Sequence, residues 1–259
     1  DEYSSGIAYY KWLKELDDHF DFVALKQKLE SVYQNVCFYN RLTLSFTGND
    51  DTNLEKQVLY LKETLKISDA LEKAIIKPFS IKKEGIIIPS DIAYASKGGY
   101  LLETSKITPL ASNIISLAYL WNVVRVQGGA YGTGLVSRAS GFTCCYSYRD
   151  PNGKESLKKY EKCGTFLKDY LKENHDLTGF IIGTLSGLMP LMMPYNIGKY
   201  GDLYYFNQKE QLEAILNVDK DELLEIAKEI DETLEKSGIC IIGGKNQIDQ
   251  CDLDEVISL

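Results

Sequence analysis

Apolar residues recur at helical spacing in the first part of the chain. Over residues 6–38 this spacing predicts two consecutive helices. The apolar positions that define them are Ala8, Trp12, Leu16, Val23, Leu25, Leu29, Val32 and Val36.

A strand and a third helix are predicted next. Residues Arg41–Thr47 alternate between apolar and polar side chains, and a Gly-Asn-Asp triplet typical of a turn follows them. Beyond the turn, Asp51 or Thr52 can cap a helix, because both side chains accept hydrogen bonds from free backbone N–H groups. The apolar positions of that helix are Leu54, Val58, Leu61 and Leu65.

The middle of the chain predicts more β-structure and a buried helix. Gly85–Ser96 is β-rich and predicts a strand pair interrupted at Pro89, because proline cannot donate to a strand ladder. The long apolar segment Ala111–Val126 predicts a buried helix, which the pair Gly128 and Gly129 would end.

A hairpin and an amphipathic helix are predicted after the glycine pair. Tyr131–Ser137 and Phe142–Arg149 have the β pattern and are joined by a short turn, which predicts a hairpin. Lys154–Asn174 predicts one helix with a single apolar face. That face carries Leu157, Tyr160, Cys163, Leu167 and Leu171.

Three further helices are predicted towards the carboxyl end. The first covers Leu177–Leu188 with Asp176 as its cap, and the Pro- and Gly-containing stretch Pro190–Gly201 is predicted as a loop. The other two begin at Asn207 and at Asp219.

The last of these helices has clear end signals. Asp219 and Glu222 form a cap-plus-acid pair at its start, and Gly238 stops it. Ile239–Ile242 predicts a final strand. Because helices and short strands alternate without regular βαβ spacing, we predict an α+β fold with helices packed on one face of a mixed or antiparallel sheet.

Composition is that of a folded protein that does not bind nucleic acid as its main partner. The 259 residues suggest one large domain, or one domain with a short flanking piece. A net charge of −8 argues against nucleic acid binding, which requires clustered Lys and Arg.

The longest apolar stretch is broken by polar residues, so no membrane span is predicted. The six cysteines form no C-x-x-C pair, and we expect reduced thiols inside a cell.

The residue types needed for a catalytic metal are missing from the sequence. A catalytic zinc takes about three protein ligands, usually His, Cys or carboxylate. The two histidines, His19 and His175, lie far apart in polar surroundings, so both are expected at exposed helix ends. No metal site is therefore predicted in this chain, and no nucleophilic Gly-x-Ser-x-Gly elbow is present.

The run from Arg125 to Gly132 has candidate chemistry. An Arg at a helix end, a glycine pair and Tyr131 at a strand start can converge on one point, where a guanidinium and a phenol hold a carbonyl and an oxyanion. The alternative is a tight helix-to-strand connection with a core tyrosine, which the spacing alone favours. The glycines lack P-loop or dinucleotide-fold spacing, so a nucleotide-binding enzyme is the weakest interpretation.

At this run the sequence resembles the presequence-protease (falcilysin-like) branch of the insulinase, or pitrilysin, family. The specific matches are a Gly-Gly-Ala-Tyr-Gly segment and a Ser-Tyr-Arg-Asp-Pro-Asn segment at fixed separation, with weaker matches over nearly the whole chain. The matching residues are Leu120–Gly132, Gly141, Phe142 and Ser147–Asn152, then Gly6–Tyr10, Leu44–Gly48, Gly85–Pro89 and Ile181–Thr184.

The resemblance implies a mitochondrial-processing-peptidase-like metallohydrolase domain. Members of the family have two halves that enclose a peptide-digesting chamber, and the N-terminal half holds the zinc. On this basis residues 1–39 would be a helical connector from the third domain and residues 40–259 the fourth domain. Arg125 and Tyr131 fall on the family's substrate-contacting positions, and Arg149 resembles a second basic contact. The loop Met189–Pro194 lacks the family's usual acidic residue.

The resemblance also implies a function with defined partners. It identifies the chain as the zinc-free C-terminal portion of a zinc metalloendopeptidase, inactive by itself, that degrades short unfolded peptides together with its N-terminal half. Relatives suggest a mitochondrion or similar organelle, or the cytoplasm of a bacterium. The alternative is a scaffold or binding domain that has lost catalysis, although a scaffold has no need for Arg125 and Tyr131.

Overall fold

The computed structural model describes residues 6–42, 44, 46, 49, 53–67, 81–101, 105–138, 141–173, 176–189 and 209–258. By its internal contacts the chain divides into two compact units, Asp1–Ile76 and Lys77–Leu259. The boundary between residues 39 and 40 that the resemblance implies stays a prediction, because internal contacts do not identify the family domain to which a residue belongs.

The first unit is helical in its described part, and the two helices predicted over residues 6–38 are confirmed. Asp21 caps the second helix, since its carboxylate accepts the N–H groups of Val23 at 2.9 Å and Ala24 at 3.1 Å. None of the described residues of these helices is buried. The helices are α1 (Ile7–Asp18), α2 (Phe22–Val36) and α3 (Leu54–Thr64), with a 3₁₀ turn at Tyr39–Arg41.

Two predictions for this unit change. Arg41 ends the 3₁₀ turn instead of starting a strand, because the Leu42 N–H bonds back to the Tyr39 carbonyl at 3.1 Å. The rest of the predicted strand lies partly outside the described residues. The residue that precedes α3 is Asn53, while Asp51 and Thr52 lie outside the described residues.

The second unit consists of a sheet and the helices around it. Its strands are β1 (Lys83–Ile87), β2 (Ala93–Tyr100), β3 (Gly132–Ser137), β4 (Phe142–Asp150), β5 (Gly238–Gly243) and β6 (Glu255–Ser258). Its helices are α4 (Thr108–Ile114), a π-helix (Ile115–Val126), α5 (Gly153–Tyr160), α6 (Cys163–Glu173), α7 (Thr178–Leu188), α8 (209–216), α9 (Lys220–Glu235) and α10 (Lys245–Ile248).

The six strands form one mixed sheet in the order β3-β4-β2-β5-β1-β6. The predicted hairpin is confirmed as the antiparallel pair β3 and β4, and β1 runs parallel to both β5 and β6. The α+β prediction is confirmed. The predicted pairing within Gly85–Ser96 is wrong, because β5 lies between β1 and β2. Ile239–Ile242 is not the last strand, because β6 follows it and extends the sheet edge.

Burial alternates along the central strands, which shows that the helices cover one face. Ala95 and Cys145 are almost completely buried, whereas Tyr94 and Tyr148 are 41% and 38% exposed. Neighbouring residues of a strand point to opposite faces, so the buried set faces the helices and the tyrosines lie on the open face. The core between sheet and helices includes Leu110, Ile114, Leu120, Leu167, Ile230 and Leu234.

The helix predicted over Lys154–Asn174 is two helices, α5 and α6. A tight bond from the Lys162 N–H to the Lys159 carbonyl at 3.1 Å marks the break. The break lets both helices bury their apolar sides, and α6 approaches α9 so closely that a side chain at Gly164 would collide with the Ala227 carbonyl. The five predicted face residues are all buried, as expected.

The predicted start signals of two later helices are confirmed, whereas the prediction that Gly238 stops α9 is wrong, because α9 ends at Glu235 and Gly238 begins β5. Asp176 accepts the Thr178 N–H at 2.9 Å at the start of α7. Asp219 and Glu222 form a reciprocal capping box at the start of α9. The predicted loop Pro190–Gly201 lies outside the described residues. Among the helices of the described part of the chain, none is long and apolar enough to cross a membrane.

Candidate functional site

Arg125 lies near the end of the π-helix, a rare geometry that is frequent at functional sites. The guanidinium carbon is 3.8 Å from the ring centroid of Trp121, so the planar cation stacks on the indole. Arg125 Nε donates to the Tyr131 carbonyl oxygen at 3.0 Å. These two contacts fix the guanidinium plane and connect the helix end to the start of β3.

The glycine pair closes the helix and turns the chain into β3. Gly129 has φ +83°, a left-handed conformation that favours glycine. Its N–H donates to the Arg125 carbonyl at 2.9 Å, and the Ala130 N–H donates to the Val124 carbonyl at 3.2 Å. The last carbonyls of the helix are thus paired, and the chain reverses within a few residues.

Tyr131 is the exposed residue at the start of β3. It is 61% exposed, and its N–H donates to the Tyr148 carbonyl at 3.2 Å. The two tyrosine rings are 5.6 Å apart between centroids. No hydrogen bond of the Tyr131 hydroxyl occurs among the described residues, so the phenol can donate to a ligand. The alternative of a core tyrosine is therefore not what the structure shows.

Arg149 approaches the same tyrosine from β4. Its guanidinium carbon is 5.5 Å from the Tyr131 ring centroid, within the range of a cation–π contact. Its φ of 49° makes it the non-glycine residue with positive φ in the described part of the chain. This unfavourable conformation turns Arg149 out of the regular pleat at the end of the strand.

The structure brings the three predicted residues together. Arg125, Tyr131 and Arg149 line one surface cavity of about 600 Å³. None of the ion pairs found among the described residues involves either arginine, so the cavity presents two cations without a carboxylate partner. The other lining residues are Ile92, Val126, Gly129 and Ala130.

A second, larger cavity has a volume of about 800 Å³. It is lined by Ile87–Asp91, Pro151, Asn152, Lys154, Glu155, Gly244–Gln247 and Gln250. Lys154 and Glu155 contribute charges of opposite sign there. We favour the smaller cavity as the functional site, because an exposed phenol and two unpaired cations converge in it.

The other glycines of the Gly-rich run have a structural role in β3. A side chain at Gly132 would collide with the ring of Tyr148, and one at Gly134 would lie 3.1 Å from the Tyr146 hydroxyl. The Tyr148 and Tyr146 rings of β4 thus pack against these glycines of β3. The Gly-rich run serves aromatic packing here, which explains its composition without a nucleotide.

Cysteine chemistry does not add a nucleophile to the site. Burial raises the pKa of the Cys144 thiol to about 12. Burial also raises the pKa of Cys145, whose sulfur is 3.6 Å from that of Cys163. All six cysteines are free thiols. Because the thiolate is the reactive form, Cys144 and Cys145 are poor nucleophiles.

The described residues do not fit a catalytic metal. Among them there is no group of three or more His, Cys, Asp or Glu side chains that could hold an ion. His19 caps the C-terminal end of α1 and is exposed, while His175 lies outside the described residues.

The sequence alone did not indicate a network beside the site. The Asp150 carboxylate is fully buried and accepts the Ser147 hydroxyl at 2.6 Å and the Asn152 N–H at 2.8 Å. Asn152 Nδ2 donates to the Gly128 carbonyl at 3.0 Å. The available signal was the Ser-Tyr-Arg-Asp-Pro-Asn segment, which carries the family resemblance.

Comparison with known proteins finds relatives along nearly the whole chain. Protein HypA of Clostridium perfringens is 28% identical over 96% of this chain and 27% of that protein. Presequence protease 1, chloroplastic/mitochondrial, of Arabidopsis thaliana is 26% identical over 96% of this chain and 24% of that protein. The chain therefore spans about a quarter of the length of these curated relatives.

Solved structures show the same fold at low sequence identity. The peptidase M16 inactive domain of Pseudomonas fluorescens has a TM-score of 0.53 at 14% identity, covering 76% of this chain and 52% of that one. Pitrilysin has a TM-score of 0.53 at 8% identity, covering 80% of this chain and 25% of that one.

The family assignment rests on a separate match. Residues 83–245, which contain the site and most of the sheet, match the family model described as PreP C-terminal domain. The resemblance to the presequence-protease branch of the insulinase family is thus confirmed, and the chain belongs to the PreP C-terminal domain family.

Proposed function

We propose that this chain is the zinc-free C-terminal portion of a metalloendopeptidase that degrades short unfolded peptides. The observation that carries the proposal is the convergence of Arg125, Tyr131 and Arg149 on one cavity. The N-terminal half of the same polypeptide would complete a closed chamber around the peptide and would hold the zinc. Protein HypA and two presequence proteases are each about four times longer than this chain, which supports a longer protein.

The geometry supports a division of labour between the three side chains. The Tyr131 hydroxyl would donate to the oxyanion that develops when water attacks the scissile carbonyl. Arg125 has its Nε committed to the Tyr131 carbonyl, so its terminal nitrogens would hold a substrate main-chain carbonyl. Arg149 would add a second cation to the wall of the cavity. No step assigned to this chain passes through a metal, because the described residues do not fit one.

The test is Tyr131→Phe in the full-length protein. This change removes only the hydroxyl, so a quenched fluorescent peptide should be cleaved about 10²- to 10³-fold more slowly in kcat. Tyr100→Phe is the matched control, because Tyr100 is 66% exposed on the open sheet face and its ring contacts Phe142 instead of the site. Near-normal turnover by Tyr131→Phe would contradict the proposed role of the Tyr131 hydroxyl.

A scaffold without catalysis is the second candidate function. A solved structure of similar fold is an inactive domain by its printed name, which favours this possibility at the level of the fold. The two functions differ in the rest of the polypeptide. A His-x-x-Glu-His motif in the N-terminal half, together with peptide cleavage, would exclude the scaffold function. Absence of that motif would support the scaffold function.

A further inference from the structure

The end of β4 and the turn after it contact the loop that carries Tyr131 through three side chains. The Arg149 guanidinium lies over the Tyr131 ring. The Pro151 ring covers Gly129, where an added side chain would lie 3.3 Å from Pro151 Cγ. Asn152 Nδ2 donates to the Gly128 carbonyl. Gly128 and Asn152 are 24 residues apart in sequence, and these contacts extend the pairing of β3 with β4 beyond the end of the ladder.

Asp150 anchors the turn through two hydrogen bonds. Its carboxylate is fully buried, and its two oxygens accept different donors, the Ser147 hydroxyl and the Asn152 N–H. A buried carboxylate with both oxygens hydrogen-bonded holds its donors in one geometry, because breaking either bond would leave a charged oxygen unpaired. Asn152 is therefore fixed at its main chain by Asp150 while its side chain reaches Gly128.

The main chain of Tyr131 is held by the Tyr148 carbonyl at its N–H and by Arg125 Nε at its own carbonyl, whereas its side chain is held more loosely. Tyr131 is 61% exposed, and its ring makes an aromatic contact with Tyr148 and a cation–π contact with Arg149. Its main chain follows the left-handed Gly129. The position of the hydroxyl thus depends on how firmly the glycine segment is held. The main-chain bonds of Gly129, Ala130 and Tyr131 hold part of it, and Asn152 adds a side-chain bond at the Gly128 carbonyl.

We propose that Asn152, anchored by buried Asp150, is a positioning residue that fixes the Gly128–Tyr131 segment and so places the Tyr131 hydroxyl; this rests on the proposed function. Asn152 touches no reacting group. It acts through Tyr131, because a donor stabilises an oxyanion only when it is preorganised at hydrogen-bonding distance. Losing the Gly128 bond would leave the phenol present and misplaced.

The experiment is a double-mutant cycle in the full-length protein, with Asn152→Ala and Tyr131→Phe alone and together. Asn152→Ala should lower kcat about 10-fold with KM nearly unchanged, since a misplaced donor weakens the transition state more than substrate binding. In the Tyr131→Phe background the same change should have almost no further effect, because the donor that Asn152 positions is already absent.

Two further variants separate positioning from general structure. Asn152→Asp keeps the shape of the side chain and removes the amide donor, so it should match Asn152→Ala. Asn217→Ala removes a comparable amide-to-carbonyl bond, from Asn217 Nδ2 to Glu213 at 2.8 Å, and should leave kcat unchanged. Circular dichroism should show that all variants are folded, as expected because Asn152 itself is exposed.

The outcomes distinguish this proposal from the proposed function. Turnover by Asn152→Ala at the wild-type rate, or a double variant whose loss is the product of the two single losses, overturns the positioning role. A silent Tyr131→Phe overturns the proposed function by itself, and any loss from Asn152→Ala would then act elsewhere and also overturn positioning through Tyr131. A double variant no worse than Tyr131→Phe supports both.

Discussion

At the scale of single residues, Arg149 combines an unfavourable backbone with a position on the wall of the candidate site. A non-glycine residue in the left-handed region costs on the order of 1–3 kcal/mol and persists only where its surroundings determine it. Here φ is 49°, and the next residue is the fully buried Asp150. The two hydrogen bonds of Asp150 therefore offset the cost of turning Arg149 towards the cavity.

The cysteines permit a prediction about reactivity. Because burial raises the pKa of Cys144 to about 12, only a very small fraction is thiolate at pH 8. Iodoacetamide at pH 8 should therefore modify the exposed Cys37 and leave Cys144, Cys145 and Cys163 unmodified in the native protein. Mass spectrometry of the digested protein gives the modified positions. Rapid labelling of Cys144 would contradict the raised pKa.

The same pKa predicts how stability depends on pH. An unfolded thiol titrates near the ordinary value of 9.0, whereas the folded Cys144 titrates near 12. Between these values the unfolded state loses a proton that the folded state keeps. The contribution of Cys144 is thus fully present below about pH 9 and is lost as the pH rises towards 12. Urea denaturation should show a smaller decrease over this range in Cys144→Ala than in the wild type.

At the scale of elements, two predictions that depend on residues close in sequence are confirmed. The Asp219 and Glu222 pair and the hairpin of β3 and β4 depend on neighbours in sequence, and both are present. The break between α5 and α6 was not predictable, because the apolar face runs unbroken from Leu157 to Leu171. The break depends on the close approach of α9, where Ala227 lies against Gly164 of α6. These two residues are 63 positions apart in sequence.

The capping box of α9 gives a stability prediction. Asp219→Ala should lower the free energy of unfolding by about 1 kcal/mol, because it leaves the Asp221 N–H without its acceptor at the helix start. Glu225→Ala is the control, since Glu225 is exposed in the middle of the same helix, and its effect should be within about 0.5 kcal/mol. Equal losses in urea denaturation would show that the cap contributes nothing specific.

At the scale of the whole molecule, the two compact units differ in how their apolar residues are used. Every buried hydrophobic residue of the described chain lies at Ile86 or beyond, in the second unit. The apolar faces of α1 and α2, which the sequence pattern identifies, contain no buried residue.

This distribution predicts that the second unit folds by itself. A fragment of residues 77–259 should unfold cooperatively, since it retains the core between sheet and helices. Thermal unfolding followed by near-ultraviolet circular dichroism is the measurement. A broad transition without near-ultraviolet signal would mean that the second unit needs residues 1–76.

The proposed function gives one further prediction for the whole chain. The 259-residue protein alone should bind no stoichiometric zinc and cleave no peptide, because the described residues offer no metal-binding group. Elemental analysis after dialysis and a fluorescent peptide assay are the measurements. Tightly bound zinc at one equivalent would overturn the assignment of zinc to the other half.

The sequence by itself determined most of the helices, the β3–β4 hairpin and the α+β class, because periodicity, caps and turn residues act between near neighbours. The residues of the candidate site came from the family resemblance, since the spacing alone favoured a core tyrosine. The sequence also placed Arg125 and Tyr131 within one short segment. Only the tertiary structure decided the strand order, with β5 between β1 and β2, and the approach of Arg149 to Tyr131. These depend on contacts between distant segments, which a local pattern does not specify.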